Sequence, residues 1–235
     1  MMLISNIYDD VYGGKLEGGW GFSCYIEHEG RKILFDTGYD GSKLFHNMEE
    51  MGIEPALIDT VIVSHNHWDH TGGVTALSRV NKRMVIYVGE TFSAKFRGEV
   101  SRNNECKPVR EMVSLYEGNV FVGPELGNNG ERELALAIRS RKGLVIVTGC
   151  AHPGIMNIVR EFKNKINERI FLVLGGFHLY EHTRSEVEDI AAEFKNMGIR
   201  KVAPCHCSGR EPMEVFRKEY RDDFIEFRAG ARIEF

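Results

Sequence analysis

The sequence predicts an α/β protein in which two β-sheets are sandwiched by outer helices. Three observations predict it. The first third is rich in short β-branched and aromatic runs. The second half alternates apolar runs of strand length with stripes of helical period. Histidines recur just past the ends of the apolar runs, the edge of the sheet where α/β proteins gather ligands.

Leu3 to Ile7, Gly21 to Glu27 and Lys32 to Phe35 read as strands, with a flexible loop at Gly13-Gly14 and Gly18-Gly19 between the first two. Trp20 in that loop is either a packed aromatic or a residue that faces a substrate. Leu44, Met48 and Met51 recur at helical spacing, and Gly52 is a suitable stop. Thr60 to Val63 is a short buried strand, and Met84 to Val88 another. The stretch from Thr91 to Arg110 is the least regular. Further on, Leu134 to Ile138 and Leu144 to Val147 form a hairpin around Arg139 to Gly143. Ile155, Ile158, Phe162 and Ile166 make a helical stripe after Pro153. Ile170 to Leu174 is a strand, Val187 to Met197 a helix ended by Gly198, Lys201 to Ala203 a strand, and Pro212 opens a last helix.

Composition sets bounds on this reading. The chain has 235 residues, 43% of them hydrophobic, which suffices for a sizeable core in one domain spanning 1–235. A net charge of −4 gives no global bias toward nucleic acid, and no nucleic-acid partner is expected. No apolar run of about 18 residues suggests a membrane span, and Met1 to Ile7 reads as a first strand rather than a signal peptide. Five cysteines without framework spacing point to a reducing cytoplasm.

The chemistry concentrates in His65-Asn66-His67-Trp68-Asp69-His70, three histidines and one aspartate within six residues after an apolar strand. Imidazole nitrogen and carboxylate oxygen are the donors zinc and similar divalent ions take. His65 and His67, two apart, share a face in extended backbone and could clamp one ion. Asp69 and His70 follow a change of direction and could reach a second. His152, His178 and His206 each stand just past a predicted strand. Cys150, Cys205 and Cys207 lie close to these histidines in sequence, and read as buried packing residues rather than ligands.

The pattern resembles the metallo-β-lactamase superfamily. The family's H-x-H-x-D-H motif stands here as His65, His67, Asp69 and His70, its third histidine motif as Thr148 to Gly154 with His152, and its last histidine as His206. Leu34-Phe35-Asp36-Thr37-Gly38 matches an upstream Asp-Thr-Gly strand end. The motifs fall in the family order over nearly the whole chain. The resemblance implies a four-layer αββα sandwich, two mixed β-sheets packed face to face with helices outside. It implies one metal held by His65, His67 and His152 and a second held by Asp69, His70 and His206. Asp36 would orient a ligand through hydrogen bonds; the plain alternative is a turn-forming Asp.

One departure concerns the second ion. Family members with two metals place a bridging Asp between the third and last histidine motifs. Here that interval holds only Asp189, in a helical stripe, while His178 in Gly175-Gly176-Phe177-His178-Leu179 stands about where the bridge belongs. The second site is then weaker, uses His178, or is bridged only by hydroxide. The motifs around His152, His178 and His206 resemble one branch, which includes dihydropterin-ribofuranosyl-aminobenzene phosphate synthases of methanopterin biosynthesis and many metal-dependent hydrolases.

The expected function is a metal-dependent hydrolase acting on a small, anionic or phosphorylated molecule through a metal-bound hydroxide. A divalent ion with an open position lowers the pKa of its water to about 7. Asp69 and His178 are the catalytic candidates beyond the ion: Asp69 orients the nucleophile, and His178 donates a proton to the leaving group. Zinc suits the donors best, with manganese or iron as alternatives. In this family the region corresponding to 91–110 caps the cleft, and its Arg97 and Arg102 are candidates for binding an anionic substrate. The alternatives are a metal-assisted synthase in pterin biosynthesis, a nuclease, a di-iron redox protein and a non-catalytic metal-binding protein. Nothing in the pattern fixes the oligomeric state.

Overall fold

A computed structural model describes residues 1–128 and 131–235. Its contacts divide the chain into two compact units, Met1–Glu111 with Arg228–Phe235, and Met112–Phe227.

The first unit is built on strands β1 (Met2–Tyr8), β2 (Ser23–His28), β3 (Arg31–Phe35), β4 (Thr60–Ile62), β5 (Val85–Gly89) and β6 (Glu105–Val109), with helices α1 (Gly41–Glu50), α2 (Trp68–Thr71), α3 (Val74–Val80) and α4 (Ala94–Val100). A C-terminal strand, Arg232–Glu234, pairs antiparallel with β1 and completes a seven-stranded mixed sheet in which β1 to β6 lie in sequence order. The meander β1-β2-β3 is antiparallel, and β3 to β6 run parallel. Leu34, Val61, Val63, Ile86 and Val88 pack with Leu44 and Met48 of α1 and Val74 and Leu77 of α3 in one apolar core. Ile26, Ile33, Phe35 and Ile62 point to the opposite face and are buried as well. Burial of both faces is why the parallel strands read as unbroken apolar runs.

The second unit contains β7 (Val113–Leu115), β8 (Val120–Val122), β9 (Leu126–Asn128), β10 (Glu131–Glu133), β11 (Leu136–Ser140), β12 (Gly143–Thr148), β13 (Ile170–Gly176) and β14 (Lys201–Cys205), with α5 (Ile155–Ile166), α6 (Arg184–Asn196) and α7 (Arg210–Tyr220). Its main sheet runs β14-β13-β12-β11-β8-β7. The hairpin β11-β12 is antiparallel, and β12-β13-β14 are parallel, joined by α5 and α6. Ile158 and Phe162 of α5, Ala191 and Phe194 of α6 and Val215 and Phe216 of α7 close one core over Ile146, Val173 and Val202. Thr183 and Glu186 form a capping box that starts α6.

The structure differs from the sequence expectations in two places. Residues 91–110, expected to be irregular, hold α4, whose N-terminus is capped by the Ser93 hydroxyl, and the edge strand β6. Lys95 and Glu99 are exposed on the short α4 and Glu105 on β6, an edge strand, where periodicity is weakest. The short strands β7 to β10 and the C-terminal strand carry too few residues to signal themselves. Just past the end of β14, as expected for His206, residues 206–208 turn into a short 3-10 helix with His206 at φ 49°.

Candidate metal centre

The first unit presents the dense motif from the end of β4. Ser64 and His65 leave the strand, and Trp68–Thr71 make one helical turn that His67 opens. The turn is clamped from below. The backbone N–H and the hydroxyl of Thr37 both donate to the His70 carbonyl, at 3.0 and 2.9 Å, and Gly73 N–H donates to the Thr37 hydroxyl at 3.1 Å. Gly72 is required here, since a Cβ would lie 1.7 Å from the Tyr39 carbonyl oxygen.

Within this clamp the histidine rings are oriented by one buried carboxylate. Asp36, fully buried, accepts from His70 Nδ1 at 2.7 Å, from the Ser64 hydroxyl at 2.7 Å and from Ser64 N–H at 2.7 Å. Because the Ser64 hydroxyl proton is committed to Asp36, its oxygen accepts from His65 Nδ1, 2.8 Å away. A chain of hydrogen bonds therefore runs from His65 through Ser64 to Asp36, where His70 also ends. It places the Nδ1 proton on both rings and the lone pair on Nε2, the arrangement a metal-binding imidazole needs. The rings of His65 and His67 are 4.6 Å apart, and those of His65 and His70 4.2 Å. Asp69 Oδ2 lies 3.5 Å from His70 Nε2. Asp36 itself sits at φ 59°, a left-handed conformation at the end of β3.

The second unit gathers the remaining donors at the ends of β12, β13 and β14. Ala151, His178 and His206 all have positive φ, at 63°, 52° and 49°, so each strand end is bent sharply to aim a side chain. The loop that carries His152 is wrapped around a buried Glu133. One carboxylate oxygen accepts from the N–H groups of Gly149, Cys150 and Ala151 at 2.9 to 3.0 Å, and the other from His152 N–H at 3.0 Å. Sequence reading missed Glu133, although an acidic residue directly before the apolar Leu134-Ala135-Leu136 run is the signal it leaves. It also read Ser64 only as a strand end.

His152 and His178 face each other with ring centroids 4.4 Å apart, and they border a cavity of about 250 Å³ whose other walls include Met156, Phe177, Leu179 and Ile190. Cys150, His152 and His178 bring one donor atom each within 4.8 Å of one another, and so do Cys150, His206 and Cys207. Burial pushes the Cys207 thiol up, but hydrogen bonds with Cys150 and His178 outweigh it and hold the thiol well below the usual cysteine range. The same bond to Cys207 raises the His178 imidazole against the effect of burial. The turn at 206–208 thus carries Cys207 into the donor cluster, where an extended backbone would have carried it away. Asp189 is exposed on α6. Arg97 is half-buried beside Cys106, and Arg102 is exposed; among the described residues neither joins the hydrogen-bond network of the histidine motif.

Two mixed sheets with helices, whose strand ends carry oriented imidazoles and carboxylates, define an α/β protein with candidate metal ligands in each unit. The chain belongs to the metallo-β-lactamase superfamily, whose profile, described as Metallo-beta-lactamase superfamily, matches residues 19–206. It is 30% identical to a 7,8-dihydropterin-6-methyl-4-(beta-D-ribofuranosyl)-aminobenzene-5'-phosphate synthase of Methanocaldococcus jannaschii, over 92% of this chain and 90% of that protein. Among solved structures it is similar to a metal-dependent hydrolase of the β-lactamase superfamily, with a TM-score of 0.86 and 30% identity over 100% of this chain and 99% of the other. A metallo-β-lactamase fold protein from Bacillus subtilis shares the fold at 15% identity, with a TM-score of 0.71 and full coverage of both chains. The superfamily uses divalent metals, and the donor chemistry of both units fits such an ion. No helix among the described residues is long and apolar enough to cross a membrane.

Proposed function

We propose that this protein is a metal-dependent hydrolase of a small anionic or phosphorylated molecule. His65, His67 and His152 would hold a first divalent ion, zinc being suited to imidazole and carboxylate donors, and Asp69, His70 and His206 a second. The observation that carries this reading is the hydrogen-bond chain from His65 and His70 to Asp36, because a structural histidine has no need of a fixed Nε2 lone pair on two neighbouring rings. When bound, such an ion lowers the pKa of water and polarises the oxygen of a carbonyl or phosphoryl group.

The chain's own residues do the rest. Asp36 keeps two imidazoles in the metal-ready tautomer. Glu133 holds the backbone of the His152 loop in place through four N–H groups. Asp69 would orient the attacking oxygen. His178, on the wall of the 250 Å³ cavity, would donate a proton to a leaving group lodged there.

A second reading, a metal-assisted synthase acting on a pterin-type substrate, is favoured by the likeness to the Methanocaldococcus jannaschii synthase over most of both chains. Trp68 and Tyr39 suit a planar ring: they are more than half exposed and meet edge to face at 4.7 Å, within the segments that bear the motif.

Protein purified without added metal and analysed for elements, then loaded with zinc, manganese or iron, should turn over at least one member of a panel of phosphate esters, thioesters and lactones. His67→Ala should lose both metal and turnover. Survival of both in that variant would overturn the proposal. Turnover that requires a second organic substrate would favour the synthase.

A further inference from the structure

We infer that Cys150, Cys207 and His206, with His178 beside them, form a sulfur-bearing site for a thiophilic divalent cation, which overlaps the imidazole and carboxylate set proposed above at His206. All of its donors lie in the second unit, at the ends of three adjacent parallel strands. The Sγ atoms of Cys150 and Cys207 and a ring nitrogen of His206 lie within 4.8 Å of one another. Two thiolates on one zinc-like ion, each about 2.3 Å from it in tetrahedral geometry, stand about 3.8 Å apart. The cluster therefore needs a contraction of at most about 1 Å, within reach of small side-chain rotations.

A second imidazole lies beside the sulfurs. His178 is hydrogen-bonded to Cys207, and one of its nitrogens comes within 4.8 Å of Cys150.

The surroundings are shaped around the sulfurs. Gly176 lies against them: a Cβ there would come within 2.6 Å of Cys207 Sγ and 2.3 Å of the Gly149 carbonyl oxygen. The Cys207 thiol points at the Cys150 carbonyl oxygen, 3.6 Å away. Ser208 fixes the turn by accepting from Phe177 N–H at 3.0 Å and donating to the Cys205 carbonyl at 2.7 Å. Cys150 and Cys207 are 4% and 3% exposed, which shields their sulfurs from oxidants in solvent. Two thiols give their protons to solvent when the cation binds.

His206 would be shared with the second ion of the proposed hydrolase, so in that respect the inference rests on that reading, and the test reads sulfur ligation rather than turnover. Metal-free, fully reduced, full-length protein is titrated with cobalt(II). The expected result is a sulfur-to-cobalt charge-transfer band in the near ultraviolet that saturates at one equivalent. It should fall to roughly half in Cys150→Ser and in Cys207→Ser, vanish in the double variant, and persist in the Cys24→Ser/Cys106→Ser double variant. On the wild-type protein, cadmium-113 NMR should give a resonance shifted downfield as two sulfur ligands require, a readout that does not depend on any variant folding. Absence of the charge-transfer band from the wild type, its persistence in the Cys150→Ser/Cys207→Ser protein, or a cadmium resonance typical of nitrogen and oxygen ligands only would overturn the inference. Failure of the hydrolase reading alone would leave the band in place.

Discussion

The Oδ2 atom of Asp36 lies 2.7 Å from His70 Nδ1, with both side chains fully buried, and the same oxygen accepts the hydroxyl proton of Ser64. One carboxylate thus sets the tautomer of one imidazole directly and of a second through a serine. Asp36→Asn keeps the shape but loses the charge and forces one amide N–H toward a donor. We predict a 10- to 100-fold loss of affinity for the first-row ions, read by competition with a chelator. Unchanged affinity would show that Asp36 serves the turn alone.

Ser64→Ala tests the relay separately. It removes the link between His65 and Asp36 while leaving His70 bonded to the carboxylate. The expected loss of metal affinity is smaller than in Asp36→Asn, and the two variants should be non-additive because they share one network. Additive losses in the double variant would contradict the relay.

Glu133 is the acceptor for four buried backbone N–H groups. Glu133→Ala leaves them without it and should destabilise the protein by at least about 3 kcal/mol, since each buried donor left unsatisfied costs roughly 1–3 kcal/mol. Glu133→Gln, which retains one acceptor oxygen, should fall between. Urea unfolding curves report both; equal stability of the alanine variant and the wild type would refute the assignment.

Gly176→Ala places a methyl group against Cys207 Sγ and the Gly149 carbonyl oxygen. Overpacking of this kind costs about 1–3 kcal/mol, and the shift in the urea midpoint measures it.

Stability should also fall on acidification through His28. This side chain is 8% exposed, and burial lowers its pKa below the usual histidine value. The unfolded chain, with a histidine near pKa 6.5, then binds the proton more readily than the folded one. The contribution is present above about pH 6.5 and is lost as the pH falls below it. The urea midpoint should drop more steeply between pH 7 and pH 5 in the wild type than in His28→Gln. Parallel slopes would exclude His28 as the cause.

The sequence by itself determined the class of fold, the order of the main strands and helices, and the residue types of the candidate metal centre. It could do so because buried parallel strands are continuous apolar runs and because His65, His67, Asp69 and His70 lie within one turn of each other, where spacing alone constrains geometry. Local signals were too short to reveal β7 to β10 or the C-terminal strand, whose pairing is set by neighbours distant in sequence. Only the tertiary structure decided that Ser64 relays His65 to Asp36, that Glu133 anchors the His152 loop, and that the left-handed turn at His206 brings Cys207 to Cys150. These contacts join residues from separate strand ends. Which of them meet depends on backbone bends and hydrogen bonds that no periodicity records.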